Sequence, residues 1–409
     1  MPSFSIALTG LESDNTSLNG IANNIANMST TGYKAQTAQF SNLFLQQLGS
    51  NGAGDPIAVG TGTQIAATET NFSGGPVSST GNASNVALQG NGFFVVEQGS
   101  TQEYTRAGDF QMANDGSLTT TGGAAVMGYL ASGGAINVGS VVSPIVLPIG
   151  QVQPAKATSS MSIAANLNAT AAVGTSETAP IALVDSLGVA HQATVSMTKT
   201  AANTWSYNIS LPAGESTGSV NTSGTLSFDG SGNLVSPSGN VSGVGFTGMA
   251  DGANNMSFSW NLYNAAGAPQ VAQSASSWQG AASTTQDGYA TGQYQDFSIG
   301  ADGVVTASFS NGQNVSVGQL AIASVVNQQG LQAVNGSAYV TTTASGNATL
   351  GVAGSNGRGL VQDKALEGSN VDVSTEFSAL IVAQRAFEAN SKSITTFDTV
   401  TQEAINMIH

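Results

Sequence analysis

Cysteine is absent from the 409 residues, which removes disulfides, thiol nucleophiles and thiolate metal sites together. Charge is almost as scarce: Asp, Glu, Lys and Arg make up 8% of the chain, against roughly a quarter in an average globular protein. What charge there is leans acidic, with eight Lys and Arg against 23 Asp and Glu, for a formal net charge of −15. Such a chain cannot assemble the basic footprint that nucleic acid requires, and anionic membrane surfaces repel it. No stretch approaches the roughly eighteen consecutive apolar residues of a membrane-spanning helix, so no membrane insertion is expected. The first residues lack a basic segment leading into a long apolar run, so an ordinary secretory signal is not expected there. Histidine occurs twice, at His191 and His409, which leaves little for acid–base chemistry.

Apolar periodicity is concentrated at the two ends. Counting in sevens from Val373 gives Leu380, Phe387, Ile394, Thr401 and Ile408, and Phe377, Ile381, Val400, Ala404 and Ile405 widen that line into a stripe. No Pro or Gly interrupts residues 371–408, and the spacing predicts a helix starting at Asn370 or Ser374. A helix of that length is held in water only against a partner surface. At the other end Phe4, Leu11, Leu18 and Ile25 recur every seven, flanked by Ala7, Leu8, Ile21, Ala22 and Met28. Two readings fit: core helices closing a domain within one chain, or a coiled coil of the termini that leaves apolar surface for neighbouring copies.

Between the ends the period is two. After a turn at 27–32, residues 40–48 hold a short apolar patch that suits helix or strand, and 49–62 reads as a Gly-rich loop or hinge. From Phe72 short strands are expected, among them Gly92-Phe93-Phe94-Val95-Val96 and Tyr104-Thr105-Arg106, and the run with Pro144, Pro148 and Pro154 reads as a connector. A second β-rich region over 155–282, including Ile181-Ala182-Leu183-Val184 and Met256-Ser257-Phe258-Ser259-Trp260, suggests a sandwich or barrel. After Gly288 the earlier style of strand returns. The expected class is therefore mainly β with α-helical termini in a nested multidomain layout. Its parts are an N-terminal helix at 1–30, a connecting segment at 31–71, an inner β domain at 72–145 and 284–360, an inserted outer β domain at 146–283 and a C-terminal helix at 361–409.

No constellation for catalysis stands out, and neither a cofactor nor a metal is expected. Asp229-Gly230-Ser231-Gly232-Asn233 starts like a calcium loop, but its twelfth position is Asn240 rather than Glu. Asp115, Asp287 and Asp302 each precede Gly and suit turns. Gly122-Gly123 lacks the strand–glycine–helix setting of a phosphate loop. His191, beside a strand candidate, reads as an ordinary hydrogen-bonded histidine. On the long helix Glu388 and Lys392 form an i,i+4 pair worth a few tenths of a kcal/mol at about most, among the few charges Glu376, Arg385, Glu388 and Lys392.

Asn23-Asn24-Ile25-Ala26-Asn27, followed by Thr31-Gly32-Tyr33-Lys34, resembles the N-terminal signature of the bacterial flagellar rod and hook proteins. Gly92-Phe93-Phe94 and Tyr104-Thr105-Arg106-Ala107-Gly108-Asp109-Phe110 resemble the next block of that family. Leu366-Glu367-Gly368-Ser369-Asn370-Val371-Asp372 and Ile381-Val382-Ala383-Gln384-Arg385-Ala386-Phe387 resemble its C-terminal one. Together they cover both ends and the flanking β block, in the family's order. The long insert between Gly128-Tyr129 and Asp287-Gly288-Tyr289 separates the chain from the short-middled distal-rod members and matches the hook branch; inside it only pieces such as Val184-Asp185-Ser186-Leu187-Gly188 match.

The resemblance implies a non-enzymatic structural subunit that polymerises into a tube, a flexible universal joint and export channel between rod and filament. The terminal helices would pair as a coiled coil lining the channel, with two β domains outward, the outer one inserted in the inner one. Its interface would use Phe4, Leu8, Leu11, Leu18, Ile21, Ile25, Val373, Phe377, Leu380, Ile381, Phe387, Ile394, Phe397, Ile405 and Ile408. Its partners would be many identical copies, rod proteins, a hook-capping protein, hook–filament junction proteins and the flagellar type III export apparatus. Another axial role, such as distal rod, is the nearest alternative. A secreted β-rich glycan-binding or glycan-active protein would need clustered carboxylates or aromatics, which the sequence does not display.

Overall fold

The computed structural model describes residues 2–50 and 56–407. Helix α1 spans Pro2–Ala26 and helix α2 spans Val373–Asn406; nearly everything between them is β. The chain divides into two compact units, Met1–Ile149 with Asp296–Ala307 and Asn314–His409, and Gly150–Gln295 with Ser308–Gln313.

Within the first unit α1 and α2 pack antiparallel. Asn24 Nδ2 donates to Glu376 Oε1 at 2.9 Å near one end of the pair, and Asn390 Nδ2 donates to Asp14 Oδ2 at 2.7 Å further along. Gly10 meets Asn390 so closely that a Cβ there would stand 2.9 Å from the Asn390 amide nitrogen. Helix α2 is capped by Asp372, whose Oδ1 accepts from the amides of Ser374 and Thr375 at 2.8 and 3.0 Å. The expected start at Asn370 or Ser374 gives way to Asp372 because its carboxylate satisfies two free amides and matches the positive helix end.

Three expected boundaries move. Residues ahead of Val373 are not helical: Leu360–Asp363 pairs antiparallel with Val86–Gln89, and Ala365–Glu367 with Val77–Ser79. There Val361, Ala365 and Glu367 turn inward with the period of a strand. The segment read as connector and hinge is a two-stranded ribbon, with Gln36–Asn42 pairing Thr63–Thr70 and Leu45–Ser50 pairing Pro56–Gly60. Its Gln, Thr, Ile and Val residues suit a ladder even without a continuous apolar face. The Pro-punctuated run is more than a link, since Ile145 and Leu147 are buried and the Ile145 amide donates to Val126 O.

The β part of the first unit is built on adjacent strands Asn314–Leu320, Ala125–Ser132, Phe93–Gln98, Thr101–Thr105, Ala338–Val340 and Gln332–Val334. Strand alternation sends Phe93 and Phe94 to opposite faces, and both faces are covered. Phe94 joins Val86, Phe110, Ile145, Leu147 and Val361 in one core and stacks edge-on with Phe110 at 5.3 Å. Phe93 joins Tyr104, Tyr129 and Tyr339 in the other and meets Phe72 at 5.7 Å.

The second unit is a β-sandwich. One sheet orders Ser176–Val184, Ala190–Ala201, Thr204–Ser210, Ser223–Phe228 and Leu234–Ser236; the other includes Ser216–Val220, Val241–Met249, Met256–Asn261 and Ser160–Asn168. Ser160–Asn168 and Ser176–Val184 alternate between buried and more exposed positions along their length, which is the pattern of sheets with one covered face. Trp205 and Trp260 are the largest side chains in the single core between them, and Tyr207 meets Trp260 edge-on across it at 5.0 Å.

Asp287 closes the end of this unit. It accepts from the amides of Ser159 and Ser160, each at 2.8 Å, from the Ser159 hydroxyl and from Lys156 Nζ at 3.0 Å. Partial burial opposes its ionisation, but these donors win and hold the carboxyl well below its ordinary range. The stabilisation is thus present above about pH 4, the unfolded carboxylate value, and is lost as pH falls through the depressed folded value. Asp287→Ala is expected to cost the second unit roughly 1–3 kcal/mol at pH 7. In urea unfolding the deficit should shrink steadily below pH 4; a pH-independent deficit would mean that lost packing, not the charge, is responsible.

Candidate functional site

Several of the motif residues, Asn23, Asn24, Asn27, Gly32, Tyr33, Lys34, Arg106, Glu367 and Asn370, meet at the junction where α1 ends, α2 begins and the first β unit starts. After the last turn of α1 the chain reverses through Gly32, which holds φ +66 and lies so close to the 106–107 backbone that a Cβ would stand 2.5 Å from Ala107 N. No other residue type fits there without displacing backbone. Asn24 is buried and fully used: Oδ1 accepts from the Gln36 amide at 3.0 Å and the Tyr33 hydroxyl at 3.1 Å, while Nδ2 donates to Gln36 O and Glu376 Oε1, both at 2.9 Å. Asn23 Nδ2 donates to the Tyr33 hydroxyl, and Asn27 Nδ2 to Asn23 O. From the other side Asn370 Oδ1 accepts the Ala35 amide at 2.8 Å and its Nδ2 donates to Asn71 O at 2.7 Å.

Beneath this latch lies a buried ionic triad. Lys34 Nζ donates to Glu367 Oε1 at 2.6 Å and to Ser73 O at 2.7 Å. Arg106 Nη1 reaches Glu367 Oε2 at 3.3 Å, Nη2 donates to Gly90 O at 2.7 Å, and the guanidinium stands 5.4 Å over the Phe93 ring. The Gly75 amide donates to Glu367 Oε1, and Glu367's own carbonyl accepts the Gly32 amide at 2.8 Å. Burial pulls the Lys34 pKa down against the opposing pull of Glu367, and it pulls Arg106 down in the same way. Thr31-Gly32-Tyr33-Lys34, Gly92-Phe93-Phe94, Tyr104-Thr105-Arg106 and Leu366-Glu367 therefore form one structural knot, although they are spread over more than 330 residues (|i−j| is 333 between Lys34 and Glu367). In the sequence Arg106 and Glu367 stand inside matched motifs with nothing beside them to show their task. Lone charges amid apolar motif residues in a chain this poor in charge were the available signal.

The helix pair itself is only half covered. Leu11, Leu18, Ile21 and Ile25 of α1 and Val373, Leu380, Phe387 and Ile394 of α2 are partly buried along the seam. Phe4, Leu8, Phe377, Ile381, Phe397 and Ile405 are exposed, with Phe377 at 51% and Ile381 at 58%. Ala7 and Ala383 are the buried apolar residues of the two helices among the described residues. With 34 residues against 25, α2 outruns α1, and its end carries Val400, Ile405 and Met407 in the open. Ile408 lies outside the described residues. Ala26, Gln384 and Arg385 are exposed. Glu388 lies 4.0 Å from Arg385 at i,i+3 rather than pairing with Lys392, and both partners are exposed enough to contribute little.

A second cluster, in the β-sandwich, was not legible as a unit. His191 is buried, and three carboxylates surround it: Glu215 Oε2 lies 2.8 Å from Nδ1, and Asp185 Oδ2 and Asp251 Oδ2 lie 3.2 and 3.4 Å from Nε2. Burial lowers the imidazole pKa, but the hydrogen bonds and charges of Glu215 and Asp185 outweigh it, and the pKa is raised. Asp229, by contrast, is a turn residue, accepting the Ser231 and Asn233 amides.

Four family models match in order along the chain: "Flagella basal body rod protein" over 4–34, "Flagellar hook protein FlgE/F/G D1 domain" over 87–166, "Flagellar basal body protein FlaE D2 domain" over 156–289 and "Flagellar basal body rod FlgEFG protein C-terminal" over 362–407. The flagellar hook protein FlgE of Salmonella typhimurium is 33% identical over 423 residues, covering 99% of this chain and all of that one. The Treponema pallidum FlgE is 30% identical over 461 residues, covering 100% of this chain and 99% of its own. The crystal structure of Helicobacter pylori FlgE2 shares the fold, with a TM-score of 0.54 at 15% identity over 71% of this chain and all of that one.

Proposed function

The chain belongs to the flagellar hook protein family and is a structural subunit of the flagellar hook, not an enzyme; from that premise we propose how its surfaces serve assembly. The exposed stripe Phe4, Leu8, Phe377, Ile381, Phe397 and Ile405, with the overhanging end of α2, is the surface that neighbouring copies cover. The observation that carries this is the end of α2, with Val400, Ile405 and Met407 exposed at 57, 53 and 82%, because a helix end with its apolar side chains in water gains stability when packed. A head-to-tail contact of this kind does not close on itself and generates a helical polymer. In that polymer the paired helices line an export channel, and the β domains, the β part of the first unit and the sandwich of Gly150–Gln295 with Ser308–Gln313, lie outside as a universal joint.

The same reading supplies the partners: rod proteins at one end, capping and hook–filament junction proteins at the other, and the flagellar type III export apparatus during delivery. Membership of the rod and hook family places the protein in the flagellar axial structure at the basal body and hook. No helix among the described residues is long and apolar enough to cross a membrane.

Limited proteolysis with mass mapping, comparing dilute chain with sedimented assembly, tests the reading. Cuts are expected first in 397–407 of the dilute chain, where α2 outruns its partner, and these sites should be protected in the pellet. Equal resistance in the two states would show that neighbouring copies do not cover this end.

A further inference from the structure

The His191 cluster lies outside the helix junction and takes no part in the assembly reading. Nδ1 of the imidazole lies 2.8 Å from Glu215 Oε2, so a proton on Nδ1 is donated to that carboxylate. Nε2 faces two carboxylate oxygens, Asp185 Oδ2 at 3.2 Å and Asp251 Oδ2 at 3.4 Å. Asp185 has no solvent exposure, and its other oxygen is already taken by the amides of Leu187 and Val189 at 2.9 and 2.8 Å. Asp185 Oδ2, His191 Nε2 and Asp251 Oδ2 thus converge on one point, where a proton on Nε2 or a cation bridges them.

Charge points the same way. Three carboxylates around one imidazole leave an excess of negative charge even when the ring is protonated, and among the described residues no Lys or Arg forms an ion pair with any of them. The three ligand atoms lie within 4.8 Å of one another. Ligands bound tetrahedrally at about 2.0–2.1 Å stand roughly 3.3 Å apart, the spacing of the two Nε2–oxygen pairs.

We propose that Asp185, His191 and Asp251 bind a single first-row divalent cation of the zinc type, with Glu215 fixing the imidazole from behind. One nitrogen and two oxygens suit zinc, cobalt or manganese better than the all-oxygen shells of calcium and magnesium. A carboxylate on the far ring nitrogen is the usual way to orient a ligating histidine and raise its basicity. Asp251 is the most solvent-accessible of the three ligands, so water completes the shell from its side.

Position gives the site a consequence. Asp185 follows Ser176–Val184 and His191 lies in Ala190–Ala201, both of one sheet; Glu215 precedes Ser216–Val220 and Asp251 follows Val241–Met249, both of the other. A cation here cross-links the two sheets of the sandwich at one edge.

The test uses the full chain, freed of metal with EDTA and a chelating resin, then titrated with zinc chloride by calorimetry and with cobalt chloride by visible absorption. One equivalent should bind, cobalt should give the intense absorption of a tetrahedral site, and zinc should displace it. Glu215→Gln should weaken binding about 10–100-fold. Asp251→Asn should abolish the single-equivalent binding and the zinc-dependent rise in the melting temperature of the sandwich, with the circular dichroism unchanged. Because Asp251 is part-exposed while His191 is buried, the Asp251 variant tests the site without opening the core. Absence of binding, or zinc affinity equal in the wild type and Asp251→Asn, would overturn the proposal and leave a proton as the only occupant of the cluster.

Discussion

Ile381→Asp is expected to abolish assembly while leaving the isolated chain folded. In the lone chain Ile381 is 58% exposed and lies beside Phe377 on the face of α2 turned away from the α1 seam, so an aspartate there meets water and costs little. In a packed neighbour contact the same change removes about 1.5–3 kcal/mol of apolar burial and places a carboxylate without a partner, at a further cost of several kcal/mol. At 1.4 kcal/mol per factor of ten, the critical concentration should rise by roughly 10³-fold or more. Sedimentation and electron microscopy read the polymer, and circular dichroism with thermal melting reads the monomer. Thr396→Asp, which adds the same charge at an exposed position of the same helix, controls for net charge. Normal polymers from Ile381→Asp would remove this stripe from the contact surface.

The end helices were legible because their signal is local. Seven-residue spacing over Val373, Leu380, Phe387 and Ile394 survives any ignorance of the partner, and the partly buried row in the structure is that row. Where the helix starts was less legible, since Asn370, Asp372 and Ser374 all have capping side chains and only geometry selects Asp372. Within 31–71 the loop reading of 49–62 differs from the structure, which pairs Leu45–Ser50 with Pro56–Gly60, for another reason. The ribbon keeps no strict apolar alternation, and where its burial is described, at Gln36–Asn42 and Thr63–Thr70, most side chains are exposed, so Gly and polar content resembles a loop. Clusters built across the fold were illegible by nature. Asp185 and His191 share one strand pair, but Glu215 and Asp251 arrive from the other sheet, and nothing in their spacing announces a meeting. Lys34, Arg106 and Glu367 belong to the same class: their motifs could be matched, but not the fact that they touch.

That contact supplies the largest expected effect on stability. Glu367 is 1% exposed and neutralises two cations that are themselves buried, so Glu367→Gln leaves Lys34 and Arg106 without a counter-charge. Breaking a buried pair in this way costs roughly 3–5 kcal/mol, enough to bring a domain of ordinary stability close to unfolding. The loss should appear in the first unit and spare the β-sandwich, which shares none of these residues. Its pH dependence has a definite sign. Burial already holds Lys34 below its ordinary pKa, and without Glu367 nothing nearby opposes that shift. The unfolded chain then binds the lysine proton more tightly than the folded one, so the variant regains stability as pH rises toward about 10. Lys34→Met in the same background removes one stranded charge and should recover part of the loss at neutral pH, with the remainder assigned to Arg106. Denaturant unfolding of the single and double variants at pH 7 and pH 9.5 (about one unit below the free lysine value) measures both. If Glu367→Gln unfolds like the wild type at neutral pH, the triad is a bystander, and the close packing of Gly32 against the 106–107 backbone must hold the junction instead.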